Sequence, residues 1–277
     1  MANVIPMSGS GSRFADVGYI LPKPLIPVSG EPMIYRVIDS LPPADKWVFV
    51  VRTEHVERYG INELIKAKLP QAIVVVEDNP TGQATSCMQA LPYLEDDEDV
   101  FIAACDNSFL YDNEAHERLK ADETVDSILW TFTDNPLLAA KPEAWGWVKV
   151  EGDGHTIADM SVKVPVSEDP RHDHAVVATF WYRRAADFRR AYELMVQQDY
   201  RVKGEFYVDS LPIFYKKLGL RSVIFDVDLY VGWGKPADLY DYEDKEYRYR
   251  QGLGPREDES DWSKWERYFQ KAIAQRP

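Results

Sequence analysis

Cysteine is scarce in this sequence, with only Cys87 and Cys105 among 277 residues. Two thiols supply neither a disulfide framework nor zinc-ligand spacing, and their apolar settings (SCMQAL, IAACD) predict buried, reduced side chains. Long hydrophobic runs are also missing, since nothing approaches the roughly 18 apolar residues that a spanning helix needs. The opening MANV carries no basic leader and no apolar stretch, so no export signal is expected. These absences predict a cytoplasmic protein without a membrane anchor. Positive charge is short as well: 32 lysines and arginines stand against 46 aspartates and glutamates, a net charge of −14. A phosphate polymer or an anionic bilayer demands a basic footprint, so neither nucleic acid nor membrane is an expected partner. A small phosphate ligand stays open, because a few cations and backbone N–H groups can converge locally. Low-complexity tracts and internal repeats are absent too.

What is present is a regular alternation. Asn3–Met7, Trp47–Arg52, Ile73–Glu77, Val100–Cys105 and Ser127–Thr133 read as buried strands rich in Val, Ile and Phe. Between them Pro32–Ser40, Asn62–Lys68, Ala84–Leu91 and Glu114–Ala121 read as helices. This order predicts an α/β protein with a Rossmann-like, mixed but mainly parallel sheet and helices on both faces. Ligands of such sheets bind at the carboxyl ends of the strands. From Trp145 the pattern turns to strands at Trp147–Val150, Ile157–Val164 and Ala175–Tyr182, helices at Ala185–Gln197 and Val208–Leu218, and a strand at Arg221–Val227. A smaller β-rich lobe, continuous with the first half, is expected there. The division is one domain over 1–250, with halves 1–140 and 141–250, followed by a tail over 251–277. In the tail Trp262, Trp265, Phe269 and Ile273 recur at helical spacing, and Ser263-x-x-Glu266 suggests a capping box. Such a stripe predicts docking on the body or on a second subunit, the latter implying a homo-oligomer.

The most informative stretch is IPMSGSGSRF, Ile5 to Phe14, where an apolar strand runs abruptly into glycine and serine. Small residues let the chain turn tightly and let a ligand reach the main chain, and successive N–H groups in such a turn attract anions. Arg13 adds a permanent planar cation suited to phosphate oxygens. The spacing is no dinucleotide fingerprint, which needs a third glycine, and no Gly-Lys-Ser/Thr marks a P-loop. Ten residues beyond Arg13, Lys23 stands between Pro22 and Pro24. Prolines fix φ, so this lysine is presented from a stiff loop.

With these residues the sequence resembles the sugar-phosphate nucleotidyltransferase family, whose signature is G-x-G-[ST]-R-[LF], then P-K-P, then a glycine–proline run. Gly9, Gly11, Ser12, Arg13, Phe14, Pro22-Lys23-Pro24 and Gly30-Glu31-Pro32-Met33-Ile34 match it. The resemblance extends over roughly Val4 to Glu243. It implies that Met7, Ser8, Gly9, Ser10, Gly11 and Ser12 hold the nucleotide, with Gly82 and Gln83 of NPTGQATSCMQAL against the base. It implies catalytic roles for Arg13, Lys23 and Asp106, the aspartate of FIAACDN also being a magnesium ligand. Acceptor contacts are implied for Gly146 (EAWGWVKV), Lys163 (VKVPVS) and Glu205 (GEFYVDS). GWGKPADLYDYE resembles the closing Gly-Thr-Pro-Glu-Asp-Leu motif.

The reaction so implied is transfer of a nucleoside monophosphate from a triphosphate to a phosphorylated sugar or sugar-like acceptor. Pyrophosphate is released, and Mg²⁺ is the cofactor. The product would be an activated sugar for surface polysaccharide or related synthesis. The departures fall in the acceptor half. Val162 replaces the glutamate before the lysine, Ala178 a sugar-touching glycine, and Gly232 the second metal aspartate, for which Asp228 or Asp226 is the expected substitute. These point to an unusual acceptor, with Trp145, Trp147 and Trp181 as possible aromatic walls. Two rival readings are a non-catalytic regulatory relative that binds nucleotide sugars, and a metal-dependent glycosyltransferase using Asp226-Val227-Asp228. His172 and His174 read as parts of a solvated loop.

Overall fold

The computed structural model describes residues 1–257, 259 and 261–274. In the first half, strands β1 (Ala2–Pro6), β4 (Lys46–Val51), β5 (Ile73–Val76) and β6 (Val100–Ala103) lie parallel in the order β6-β1-β4-β5. A small hairpin of β2 (Pro27–Val28) and β3 (Glu31–Pro32) interrupts the connection from β1 to β4. Helices α1 (Ser12–Ala15), α2 (Met33–Ser40), α3 (Thr53–Tyr59), α4 (Ile61–Lys68) and α5 (Gln83–Met88) complete the crossovers. Parallel strands covered on both faces read as near-continuous apolar runs, which is why KWVFVV and VFIA carry no alternation.

The second half joins the same sheet. β7 (Asn107–Leu110) leaves β6 and leads through α6 (Asn113–Ala121), capped by the Asp112 carboxylate, to β8 (Ser127–Phe132). After the short α7 (Pro136–Ala140) come β9 (Gly146–Val150), β10 (Ile157–Val162) and the long β11 (His174–Tyr182). Helices α8 (Ala185–Gln197) and α9 (Leu211–Lys217) precede β12 (Ser222–Asp226), β13 (Leu229–Gly232) and α10 (Pro236–Gln251). The full sheet has nine strands in the path β10-β9-β11-β6-β1-β4-β5, with β8 between β11 and β12. The predicted β-rich lobe is therefore an antiparallel wing of the one mixed sheet. Sequence reasoning missed the two-stranded ribbon of β7 and β13, whose short runs carry no clear period.

β11 organises the wing. It pairs with β8 along one edge, while on its other edge it pairs first with β9 and then with β6. At the change of partner the register slips, and Ala178 adopts a left-handed φ of 54°. The Ala178 carbonyl accepts from the Ala104 N–H at 3.0 Å, and Asn107 Nδ2 donates to the Val177 carbonyl at 2.7 Å. A gap opens between β9 and β6 at this point, beside the carboxyl end of β6.

The tail forms α11 (Trp262–Ala274), which packs on the body. Trp262, Trp265, Tyr268 and Phe269 are buried, and Phe269 stacks on Tyr249 of α10 at 5.1 Å. The expected capping box does not form. The helix already includes Trp262, so Ser263 lies inside it, and Glu266 accepts instead from Trp262 Nε1 at 3.0 Å. Because Phe269 is a core side chain, Phe269→Ala should cost about 3–5 kcal/mol of stability in denaturant titration. A loss below about 1 kcal/mol would show that the helix lies outside the cooperative core.

Candidate active site

Three cavities lie near the carboxyl ends of β1 and β6, and one ion pair borders two of them. The first, of about 170 Å³, is bounded by Ser10, Gly11, Ser12, Arg13 and Lys23. Gly11 takes φ 62° at the start of α1, and buried Phe14, edge-on to Tyr19 at 5.1 Å, pins the loop to the core. Arg13 is exposed, with no carboxylate paired to it among the described residues. Two of the expected nucleotide contacts turn inward. Met7 is buried and its N–H donates to Val50, while the buried Ser8 hydroxyl donates to Glu77 at 2.8 Å and meets Ser86 at 3.2 Å. Their contribution is to hold the loop. Gly9, Ser10 and Ser12 face solvent or partly so around the turn.

Lys23 begins a short 3₁₀ turn after Pro22, so its stem is fixed and its Nζ lies 2.8 Å from Asp106 Oδ2. The side chains are 24% and 22% exposed, enough for a ligand to reach both. Burial pulls the Lys23 ammonium pKa down, but Asp106 beside it more than offsets this, and the net shift is upward. Asp106 follows β6, and its carbonyl accepts from the Trp233 N–H at 2.8 Å. A Cβ on Gly234 would stand 2.9 Å from Asp106 Oδ2, so the closing GWGKP motif leaves room for the carboxylate.

At the place where the resemblance implied a second metal ligand stands Gly232, and the structure does not bring the expected substitutes to Asp106. Asp228 lies five residues from Trp233 along the β7/β13 ribbon, about 16 Å of extended chain, and it pairs with Arg267 at 3.1 Å. Asp226 is held by Thr131 at 2.6 Å and His174 at 3.0 Å, at the end of β12. Neither joins Asp106. The space beside Gly232 is filled by Tyr230, whose hydroxyl would lie 2.7 Å from a Cβ there. Among the described residues no group of three or more His, Cys, Asp or Glu side chains is placed to hold a metal ion.

A second cavity, about 570 Å³, runs from Ser8 and Gly9 past Arg52 and Asp78 to Gly82 and Gln83. A Cβ on Gly82 would be 2.6 Å from the Phe206 carbonyl, and the Ala84 N–H donates to that carbonyl at 3.1 Å. Only glycine lets the 205–207 segment seat on this loop. As a result Glu205 lines the Gln83 side of the molecule, and the structure places it in this cavity rather than with Gly146 and Lys163.

The third cavity, about 190 Å³, fills the gap opened by β11 and is bounded by Asp106, Asn107, Gly146, Lys163, Ala178 and Tyr230. Gln83 borders both this cavity and the second. Lys163 takes φ 67°, donates its N–H to the Trp145 carbonyl at 2.8 Å, and holds its ammonium 5.4 Å from the Tyr207 ring. Trp145 lines the cavity edge-on to Tyr230 at 5.5 Å, whereas Trp147 and Trp181 are core residues. A second carboxylate of this cavity, beside Asp106, is Asp209, which sequence reasoning missed although it stands in the quoted GEFYVDS segment. It is 9% exposed, and its Oδ2 comes within 2.2 Å of where a Gly146 Cβ would be. Burial pushes its pKa up to about 6, against the opposing pull of its own N–H and of Lys163.

Comparison with known proteins bears on the family and the fold. Residues 4–142 match the MobA-like NTP transferase domain family. The bifunctional protein GlmU of Rhodopseudomonas palustris (strain BisB5) is 25% identical over 228 residues, covering 81% of this chain and 47% of that protein. GlmU of Geobacillus thermodenitrificans is 27% identical over 152 residues, 55% of this chain and 31% of that protein. The chain thus spans about half or less of the length of the curated relatives it matches. A nucleoside-diphosphate-sugar pyrophosphorylase from Vibrio cholerae RC9 shares the fold with a TM-score of 0.70 at 19% identity, over 87% of this chain and 98% of that one. An inositol-1-phosphate CTP transferase from T. maritima gives 0.67 at 20% identity, over 87% and 93%.

The raised pKa of Asp209 makes a signed stability statement. Its folded-state value lies above the ordinary 3.8, so the fold binds this proton more tightly than the unfolded chain does. The carboxylate therefore costs stability above pH about 6, and the cost fades as pH falls toward 4. Asp209→Asn should stabilise the protein by up to about 3 kcal/mol at pH 7, with the gain gone below pH about 4. Denaturant titrations at both pH values measure it; an equal effect at both would show that Asp209 is not strained by its charge.

Proposed function

The chain belongs to the MobA-like NTP transferase family, and we propose that it transfers a nucleoside monophosphate from a triphosphate to a phosphorylated sugar or sugar-like acceptor, releasing pyrophosphate. In this reading it serves activated-sugar synthesis in the cytoplasm. The observation that carries the reading is the Lys23–Asp106 pair at 2.8 Å, set between the glycine turn and the cavity of Gly146 and Lys163.

An acceptor phosphate oxygen attacks the α-phosphorus, and the bond from that phosphorus to the bridging oxygen breaks as pyrophosphate leaves. The nucleophile is already an anion, so no general base is required; the protein's task is in-line placement and charge neutralisation. The N–H groups of residues 9–12 and the free Arg13 guanidinium hold the leaving phosphates. Lys23 moves from Asp106 to the α-phosphoryl oxygens, where charge builds in the transition state. Lys163 draws in the acceptor phosphate. The large cavity beside Gly82 and Gln83 takes the base and sugar of the nucleotide, with Glu205 on this side.

Asp106 would hold a single magnesium ion, and the described residues offer no cluster that would hold two ions on protein groups alone. Such an ion would neutralise phosphate charge beside Asp106. The glycosyltransferase reading loses its motif, since Asp226 and Asp228 are tied to His174, Thr131 and Arg267. The regulatory reading is separated by turnover. Pyrophosphate release should appear when the protein is mixed with a panel of triphosphates, Mg²⁺ and phosphorylated acceptors. Lys23→Ala should lower that turnover by about 10²–10⁴-fold while its circular dichroism and melting temperature stay near wild type. A folded Lys23→Ala protein with normal turnover would remove the lysine from the mechanism, and binding without turnover in the wild type would favour the regulatory reading.

A further inference from the structure

We propose that Asp209 selects the acceptor, and that it does so by receiving two neighbouring hydroxyl groups, so that the acceptor is a neutral sugar or polyol joined to a phosphate. This rests on the nucleotidyltransferase reading above and extends it to one side of one cavity.

The first ground is the fit between two residues 63 positions apart in sequence. Asp209 Oδ2 occupies the space that any side chain at residue 146 would take, within 2.2 Å of the missing Cβ. Contacts of that kind do not arise from loose packing, so Gly146 serves to admit this carboxylate. The second ground is what the carboxylate lacks. Among the described residues no side chain donates a hydrogen bond to Asp209; its partners are its own N–H and the field of Lys163. A buried carboxylate with unused acceptor capacity is costly, and a ligand that donates to it recovers the cost. The third ground is location. Asp209 borders the same cavity as Lys163, Asp106 and the aromatic faces of Trp145 and Tyr230.

These features divide the cavity by chemistry. A phosphate seeks Lys163 and is repelled by Asp209, so the two mark different ends of the acceptor. Carboxyl-bearing acceptors are disfavoured at the Asp209 end for the same reason. A cationic end is not required, because Lys163 already balances part of the charge. Vicinal hydroxyls match the two carboxylate oxygens, and the aromatic walls suit the C–H surface of a sugar or polyol. A site built to bond a hydroxyl discriminates strongly against the analogue without it.

The test uses the full-length protein with Mg²⁺, its preferred triphosphate, and glucose 1-phosphate, inositol 1-phosphate and glycerol 3-phosphate, each beside monodeoxy analogues, plus phosphocholine. Triphosphate binding is followed separately by thermal shift without acceptor. The wild type should use at least one hydroxylated acceptor and lose about 10–100-fold in kcat/KM with the analogue that lacks one of the paired hydroxyls. In Asp209→Asn the hydroxylated acceptor should lose a similar factor, and the gap between it and the deoxy analogue should nearly vanish. Triphosphate binding should not change. A merely structural role would lower both acceptors equally and would preserve the gap, which overturns the proposal. Preference for phosphocholine over every hydroxylated acceptor overturns it as well. Absence of pyrophosphate release from the wild type with every acceptor would instead remove the parent reading, and this proposal with it.

Discussion

The ion pair of Lys23 and Asp106 is the interaction around which the rest of the molecule is arranged. An exposed pair at 2.8 Å contributes little to stability, and a half-buried one must recover its desolvation before it contributes anything. Yet several features of the fold exist to place it. Pro22 and Pro24 stiffen the lysine's turn, Gly234 clears space for the aspartate, and the β7/β13 ribbon fixes the Asp106 carbonyl through Trp233. The pair joins the end of β1, where the glycine turn begins, to the end of β6, where the antiparallel wing begins. In a mostly parallel sheet this is the region where strand connections depart in opposite directions from β1, and a crevice follows from that topology.

The second constraint is the change of partner along β11. A strand that leaves one neighbour for another must slip in register, and here the slip falls on Ala178 with φ at 54°. A non-glycine residue in the left-handed region costs on the order of 1 kcal/mol. Lys163, which borders the same cavity, shows the same unfavourable φ sign at 67°. Two strained residues and one buried carboxylate around a single cavity form a consistent picture. The surrounding sheet over-determines conformations that none of these residues would choose alone, which is where folded proteins concentrate function.

Much of this was legible in the chain. The strands KWVFVV and VFIA were readable because full burial on both faces leaves a continuous apolar signal, and helix α8 because its apolar face repeats at helical spacing. The turn around Gly9 and Gly11, with Arg13 and Lys23, was readable because each residue type has a local reason to be there. Long-range geometry was not. Nothing local distinguishes Asp209 from Glu205 in GEFYVDS; the seating of Phe206 on Gly82 decides which carboxylate faces which cavity. Asp228 misled for a related reason, since closeness in sequence to the GWGKP motif says nothing about which end of a ribbon a residue occupies. The Ser263 box failed because the helix begins two residues earlier than its motif requires. A hint toward Asp209 was available in Gly146, because a glycine held in a strand often marks the close approach of another group.

The charge of the chain bears on how the site works. With a net charge of −14, the body repels anionic substrates at long range, so electrostatic steering cannot gather them. That repulsion is screened beyond about 8 Å at physiological ionic strength. Inside that distance the local set of Arg13, Lys23 and Lys163, with the N–H groups of the glycine turn, governs the field. A polyanion cannot escape the repulsion, because its charge extends over the acidic surface; a compact triphosphate can. On the proposed function, an acidic body with a short-range cationic crevice would discriminate between small phosphates and phosphate polymers before any base or sugar is read. The same reasoning gives Asp209 its place. If phosphate attraction is confined to a few groups, as the proposal has it, a single carboxylate nearby would be enough to decide which end of an acceptor enters first.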